Sequence, residues 1–317
     1  ATAVVTANPQ AILIAPALIQ QLATNYTREN EREADRIGFR NLVNAGFDPR
    51  SQSQMFQILQ KSQSGINEEY SYLFTHPIPK ERITDARIRE ENVDNQANYR
   101  NSLEFYLVKA RAEVANSKNF NSLKDFYLSK QKNDDYKTEL YKKYGLSLVF
   151  KEQKKYEESF KAARELLKEI PSNLIFQTNI LEIHLAEGNS LEAISIGEKL
   201  LNVNLNNFSI SYYLAKAYVL DNNPEKAEEI LINLSKEYPK DPTVWYELAE
   251  AQGLAGNIIG LHRSRAEYFI LTGRYDSAIF QLREGLKLSK NFFEIRESII
   301  NKLEQIYKTK RALKDLT

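Results

Sequence analysis

Cysteine is absent from the 317-residue chain, and the three histidines, His76, His184 and His262, never form a His-Glu-x-x-His pair. The first absence excludes disulfide staples and thiolate metal sites but chooses no compartment, because proteins of oxidising compartments can also lack cysteine. The second excludes the metal site in which two histidines one helical turn apart flank a general base. Neither sign of charge dominates: 43 Lys and Arg face 42 Asp and Glu, a formal net charge of +1. No global field therefore steers the chain to nucleic acid or an anionic membrane, and a polar partner has to be recognised locally. Long apolar runs are missing too. The segment Ala11–Ile19 is too short to span a bilayer and carries no basic flank of a signal peptide. With Ala1 in place of an initiator methionine, the expectation is a processed or truncated product.

What is present is ample apolar content, 42% of residues, enough for one large domain or two to three ordinary ones. Three regions follow one another. In residues 1–88 the sequence predicts a helix from Arg28 to about Ala45, capped by Thr27, with Ala34, Ile37, Leu42 and Val43 as its apolar stripe and Gly46 as its stop. Asp48 and Pro49 restart the chain into a second helix whose buried side is expected to be Met55, Phe56, Ile58 and Leu59. Residues 74–88 begin as a proline-restricted loop and end in a short helix. The polar stretch 89–98 reads as a linker, and 99–317 as helical hairpins.

Leu103, Tyr106, Leu107 and Ala110 form one amphipathic face of the hairpin region, and Leu123, Phe126, Tyr127 and Leu128 another. A 34-residue spacing then relates the small residues Ser159, Ala193 and Ala227, while Pro171, Leu205 and Pro239 share an end position. This period resembles the tetratricopeptide repeat, whose paired antiparallel helices stack into a solenoid with a concave groove. Leu214, Ala215, Tyr218, Trp245, Leu248, Ala249 and Gly256 stand at packing positions of that repeat. Ala266, Tyr268, Gly273 and Ala278 restart the pattern about 17 residues after Ala249, which predicts a register change and one longer or shared helix. Helices near 275–287 and 291–309 follow, the last one capping the array through Ile295, Ile299, Leu303 and Ile306.

Glu31 and Asp35 lie four apart, on one face of the first helix. Like charges there cost about 0.2–0.5 kcal/mol unless compensated. An exposed, charge-rich helix in which Arg28, Arg32 and Arg36 supply the compensation is one reading. The motif supplies another. Glu31-x-x-Ala34-Asp35 with Gly38 and Asn44-Ala45-Gly46-Phe47-Asp48-Pro49 resembles a conserved segment of the M48 zinc metallopeptidases, in particular periplasmic members carrying tetratricopeptide repeats. Thr75-His76-Pro77 with Arg82-Ile83 resembles a second family motif, one that lies near the catalytic cleft.

The resemblance implies an all-α chain: a partial, zincin-like helical metallopeptidase domain followed by a tetratricopeptide α-solenoid. It implies Glu31 as a zinc ligand in the complete domain, Asp35 as a group hydrogen-bonded to a ligand, and His76 and Arg82 as cleft residues. The implied parent is a zinc endopeptidase and chaperone of the Gram-negative periplasm, acting in outer-membrane protein assembly and quality control. Its repeat groove would bind unfolded or partly assembled outer-membrane proteins and their assembly machinery. Tyr212, Tyr213, Tyr218 and Tyr246 are candidate rings for that groove. The 317 residues alone are expected to be inactive and to bind no zinc, because Glu31 cannot hold a catalytic metal without the paired histidines. His184, in an apolar helix, reads as a packing residue, and His262, near Arg263 and Arg265, as part of a charged surface. The alternative to the enzyme is a non-catalytic tetratricopeptide scaffold whose first 88 residues cap the array. Nucleic acid is not an expected partner, since the lysines are interspersed with acidic residues.

Overall fold

The computed structural model describes residues 29–63, 80–93, 101–129 and 135–314, all helix and connecting turn. His76, Thr27, Arg28 and the apolar segment 11–19 lie outside the described residues. The chain divides into two compact units, Ala1–Ser102 and Leu103–Thr317.

In the first unit, α1 covers residues 29–44. Gly46 ends it at φ +79°, a left-handed conformation that costs glycine nothing. The Phe47 N–H then donates to the Leu42 carbonyl at 3.1 Å and that of Gly46 to Val43 at 2.9 Å, closing the helix end. Asp48 Oδ1 accepts the Arg50 N–H at 2.9 Å and so caps α2, Arg50–Gln63. The third helix, α3, spans Lys80–Glu91, so residues 89–91 of the expected linker are helical.

Two expected apolar stripes in this unit turn out differently. Ala34 and Ile37 are exposed, and α1 buries Asp35 and Phe39 instead. On α2, Met55 and Ile58 are 52% and 64% exposed, while Gln52, Ser53 and Phe56 are buried and Leu59 is half-buried. The reason is polar pairing. Gln52 Nε2 donates to the Asp35 carbonyl at 2.9 Å, and Ser53 Oγ donates to Glu90 Oε2 at 2.8 Å. Hydrogen-bonded polar side chains thus occupy the inward stripe, where hydropathy alone assigns apolar ones.

The second unit runs α4 (Leu103–Ala115), α5 (Phe120–Leu128), α6 (Tyr136–Glu152), α7 (Tyr156–Glu169), α8 (Leu174–Glu187) and α9 (Ser190–Val203). It continues with α10 (Phe208–Leu220), α11 (Pro224–Glu237), α12 (Pro242–Leu254), α13 (Ile258–Leu271), α14 (Tyr275–Leu288) and α15 (Phe293–Lys314). The second helices α7, α9, α11 and α13 begin 34 residues apart, as do the first helices α8, α10 and α12.

Turn chemistry repeats with the same period. Lys154, Gly188, Asn222 and Gly256 all take positive φ, one in each turn between the two helices of a hairpin. After each, an N–H closes the turn at 2.8 Å: Lys155 to Phe150, Asn189 to His184, Asn223 to Tyr218 and Asn257 to Gln252. At the other end of the hairpins, Asn173, Asn207 and Asp241 cap α8, α10 and α12 with their side chains.

Ser159, Ala193 and Ala227 have no exposed surface, which is why the second helices can lie close to their neighbours. Pro171, Leu205 and Pro239 are all exposed in turns, so that position does not require proline for packing. Phe126 and Leu128 of the expected α5 face are exposed, and only Tyr127 of that face is fully buried. The expected register change and shared helix after Gly256 are absent from the described residues. Here α13 is a separate helix starting 34 residues after α11, and α14 follows α12 at nearly the same interval. Ala266 is a buried residue of a second helix, not the small position of a first helix, so its distance from Ala249 compares unlike places. Ile299, Leu303 and Ile306 of α15 close the last core, with Ile295 packed against it.

Candidate functional site

The Glu31–Asp35 pair is compensated by a residue 47 positions beyond Asp35. Arg82 of α3 grips the Asp35 carboxylate with two parallel bonds, Nε to Oδ2 at 2.8 Å and Nη2 to Oδ1 at 2.7 Å. Its third nitrogen, Nη1, reaches Glu31 Oε2 at 2.9 Å. Asp35 is 6% exposed, and the guanidinium lies 4.9 Å from the Phe56 ring centroid. The planar fork and ring contact are geometry that lysine cannot supply. The hydrogen bond to Asp35 outweighs burial and raises the Arg82 pKa, keeping it charged. Arg36, one of the expected compensators, pairs with Glu33 at 2.7 Å instead, and Arg32 lies 3.9 Å from Asp85.

Three of the sequence-predicted residues therefore meet in one place: Glu31, Asp35 and Arg82. Among the described residues no group of three His, Cys, Asp or Glu side chains is arranged to hold a metal ion. Glu31 offers one carboxylate, and the described residues do not by themselves fit a zinc site. His184 packs its ring 4.5 Å from that of Phe160, in keeping with its reading as a packing residue. Its buried Nδ1 has no hydrogen-bond partner, and burial lowers its pKa. His262 pairs through Nδ1 with Gln281 Oε1 at 2.8 Å.

Residues 3–90 match the sequence model of peptidase family M48, and residues 184–251 that of a tetratricopeptide repeat. One chain thus carries a match to each of the two models. A beta-barrel assembly-enhancing protease of Yersinia pestis is 30% identical over 84% of this chain and 54% of its own length. That of Escherichia coli strain K12 is 30% identical over 80% of this chain and 52% of its own length. The chain thus spans about half the length of the curated relatives it matches. A solved thermophilic TPR protein from Thermus thermophilus aligns over 50% of this chain and 95% of its own, at 17% identity and a TM-score of 0.34.

Within the tetratricopeptide array, the four tyrosines singled out from sequence have different surroundings. Tyr218 is buried and bonds Glu198. Tyr212 donates to Glu247 Oε1 at 2.9 Å. Tyr246 is 49% exposed, its ring edge-on to Tyr268 at 5.6 Å. Tyr213 is half-buried beside Arg111 and Glu182, and its pKa is pushed up to about 12 by burial and by Glu182. Sequence reading gives no role to Arg111 or Glu182 and takes Lys151 as a solvated helix lysine, whereas its side chain is only 16% exposed. The available signal was the period itself, since Glu182, Lys216 and Glu250 recur 34 residues apart on α8, α10 and α12 as a charged row.

Proposed function

We propose that this chain is the carboxy-terminal part of a zinc-dependent endopeptidase and chaperone of the Gram-negative periplasm. Residues 1–88 belong to its peptidase domain, 89–98 to a connecting segment, and 99–317 capture client proteins. The work is outer-membrane protein assembly and quality control, the clients being unfolded or partly assembled outer-membrane proteins and their assembly machinery. The names of the curated relatives support this reading, as does the joining of M48 and tetratricopeptide sequence in one chain. In the complete domain Glu31 is a zinc ligand, Asp35 hydrogen-bonds a ligand, and His76 and Arg82 stand at the cleft. The observation that carries it is the fixed helix face on which Arg82 holds Glu31 and Asp35. No hydrolytic step is assigned to the described residues, because they do not complete a metal site.

A second reading is a non-catalytic repeat scaffold, favoured by the absence of His-Glu-x-x-His from the 317 residues. Protein from the complete reading frame separates the two. With an unfolded β-barrel protein as substrate, Glu31→Gln should abolish hydrolysis while leaving capture intact. Unchanged hydrolysis would overturn the ligand assignment, and capture without hydrolysis by the unmutated protein would leave the scaffold. No helix among the described residues is long and apolar enough to cross a membrane.

A further inference from the structure

The near-zero net charge of the chain hides an uneven distribution. Residues 258–317 contain twelve Lys and Arg against seven Asp and Glu, an excess of five positive charges, so residues 1–257 carry an excess of four negative ones. The positive excess falls on α13, α14 and α15, the helices that close the array. Ion pairs do not use it up. Among the described residues there, Lys302 pairs with Glu267 at 2.8 Å, Lys287 with Glu284 at 2.5 Å, and Lys310 with Asp276. Arg296, Lys308 and Arg311 of α15 pair with no carboxylate, and Arg283 of α14 donates through Nη2 to a neutral hydroxyl, that of Tyr307, at 3.0 Å.

The same part of the chain holds aromatic rings in water. Phe280, Phe292 and Phe293 are 59%, 54% and 76% exposed. A single exposed apolar side chain is ordinary, whereas three phenyl rings among unpaired cations call for a partner. On α14, Phe280, Arg283 and Lys287 follow one another at steps of three and four and so share an exposed face. On α15, Phe293, Arg296, Ile300, Tyr307 and Arg311 keep the same helical spacing, beside the stripe of Ile299, Leu303 and Ile306 that fills the last core. The Arg283–Tyr307 bond joins the two faces into one surface. Glu284, Glu297 and Glu304 lie on or beside it, fewer than its five cations, Arg283, Lys287, Arg296, Lys308 and Arg311. The surface is therefore both basic and apolar.

We propose that this face of α14 and α15 docks the array onto an anionic phospholipid bilayer, the phenyl rings entering the headgroup layer and the arginines meeting lipid phosphates. A bilayer surface supplies both things the face lacks: negative charge spread over an area, and an apolar layer directly beneath it. The guanidinium fork matches a phosphate, and its apolar stem can lie along the same layer as the rings. An acidic protein would answer the charge but would need a pocket for each protruding ring. Attachment of this kind is peripheral, in keeping with the lack of a membrane-crossing helix among the described residues. It is independent of client capture, and either can hold without the other.

The test is vesicle flotation with the full 317-residue chain, using vesicles of phosphatidylcholine alone and of phosphatidylcholine and phosphatidylglycerol in equal parts. The mixed vesicles should bind the chain at least about tenfold more tightly than the neutral ones, which one or two basic residues at an anionic surface suffice to supply. Arg296→Gln combined with Arg311→Gln should remove most of that preference. Phe293→Ser should weaken binding to the mixed vesicles about fivefold, the ring no longer entering the apolar layer. Lys161→Gln combined with Lys199→Gln, at exposed places on α7 and α9, removes the same charge elsewhere and should bind like the unmutated chain. Thermal unfolding confirms that the variants fold. No binding, or equal binding to both vesicles, would overturn the lipid surface. A preference that survives the arginine substitutions, or is lost equally in the α7 and α9 variant, would overturn its location. Unchanged binding of Phe293→Ser would mean attraction by charge alone and overturn the bilayer in favour of an acidic protein.

Discussion

Arg82 is the residue on which the first unit turns, because Asp35 is buried and its two oxygens are both bonded to that guanidinium. Arg82→Ala leaves the carboxylate buried without a cation, and the expected loss is about 3–5 kcal/mol of stability. Arg82→Lys keeps the charge but not the fork and should lose less. Urea unfolding of the two variants checks both the size and the order. A second residue prediction concerns His184, whose folded pKa lies below the ordinary value of 6.5 because burial disfavours the cation. Protonation therefore favours the unfolded chain. The contribution of His184 is intact above pH 6.5 and is lost as pH falls from there through the lowered folded value. Thermal midpoints followed from mildly alkaline to mildly acidic pH should fall less steeply in His184→Gln than in the unmutated chain. Residue by residue, legibility depended on sequence distance. Glu31 and Asp35 were readable because a motif is local, whereas the Arg82–Asp35 bond spans 47 positions and no local pattern announces it. The apolar stripes of α1 and α2 were misread for a related reason: Gln52 and Ser53 are buried through partners on other helices.

At the scale of elements, the hairpins depend on one left-handed residue in each repeating turn. Lys154 fills that place where Gly188, Asn222 and Gly256 fill the others, and its Cβ opposes the conformation. Its side chain is exposed, so Lys154→Gly removes strain without removing a contact. The expected gain is about 1 kcal/mol, measured as a higher denaturation midpoint. Gly145 of α6 presents the opposite case. A Cβ there would sit 2.3 Å from Tyr127 Cζ, and the Tyr127 hydroxyl is tied to Glu113 at 2.7 Å, so the ring cannot easily yield. Gly145→Ala should cost about 1–3 kcal/mol by overpacking the first core, a loss that urea unfolding would read directly. The 34-residue period was legible in Ser159, Ala193 and Ala227 because helix contact demands small side chains at that place. The misreading after Gly256 arose because small residues also serve the other helix of a hairpin, as Ala266 does. The turn residues 154, 188, 222 and 256 would have kept the register, although Lys154 and Asn222 hide the glycine signal.

The molecule as a whole comprises two compact units. The first holds a carboxylate pair on one helix face, and the second carries a regular array with charged and aromatic side chains on its first helices. The all-α architecture and the joining of peptidase sequence to repeats were legible from local motifs and period alone. Cross-helix chemistry such as the Arg111–Glu182 pair, 71 positions apart, was not, because stacking alone brings those residues together. The central claim is that Glu31 is a zinc ligand once the peptidase domain is complete. Zinc content, measured by elemental mass spectrometry on protein from the complete reading frame and on its Glu31→Gln variant, tests it most directly. The account predicts about one zinc per unmutated chain and a clear loss in the variant, with helical content unchanged. A zinc-free unmutated protein, or equal zinc in both, would contradict it.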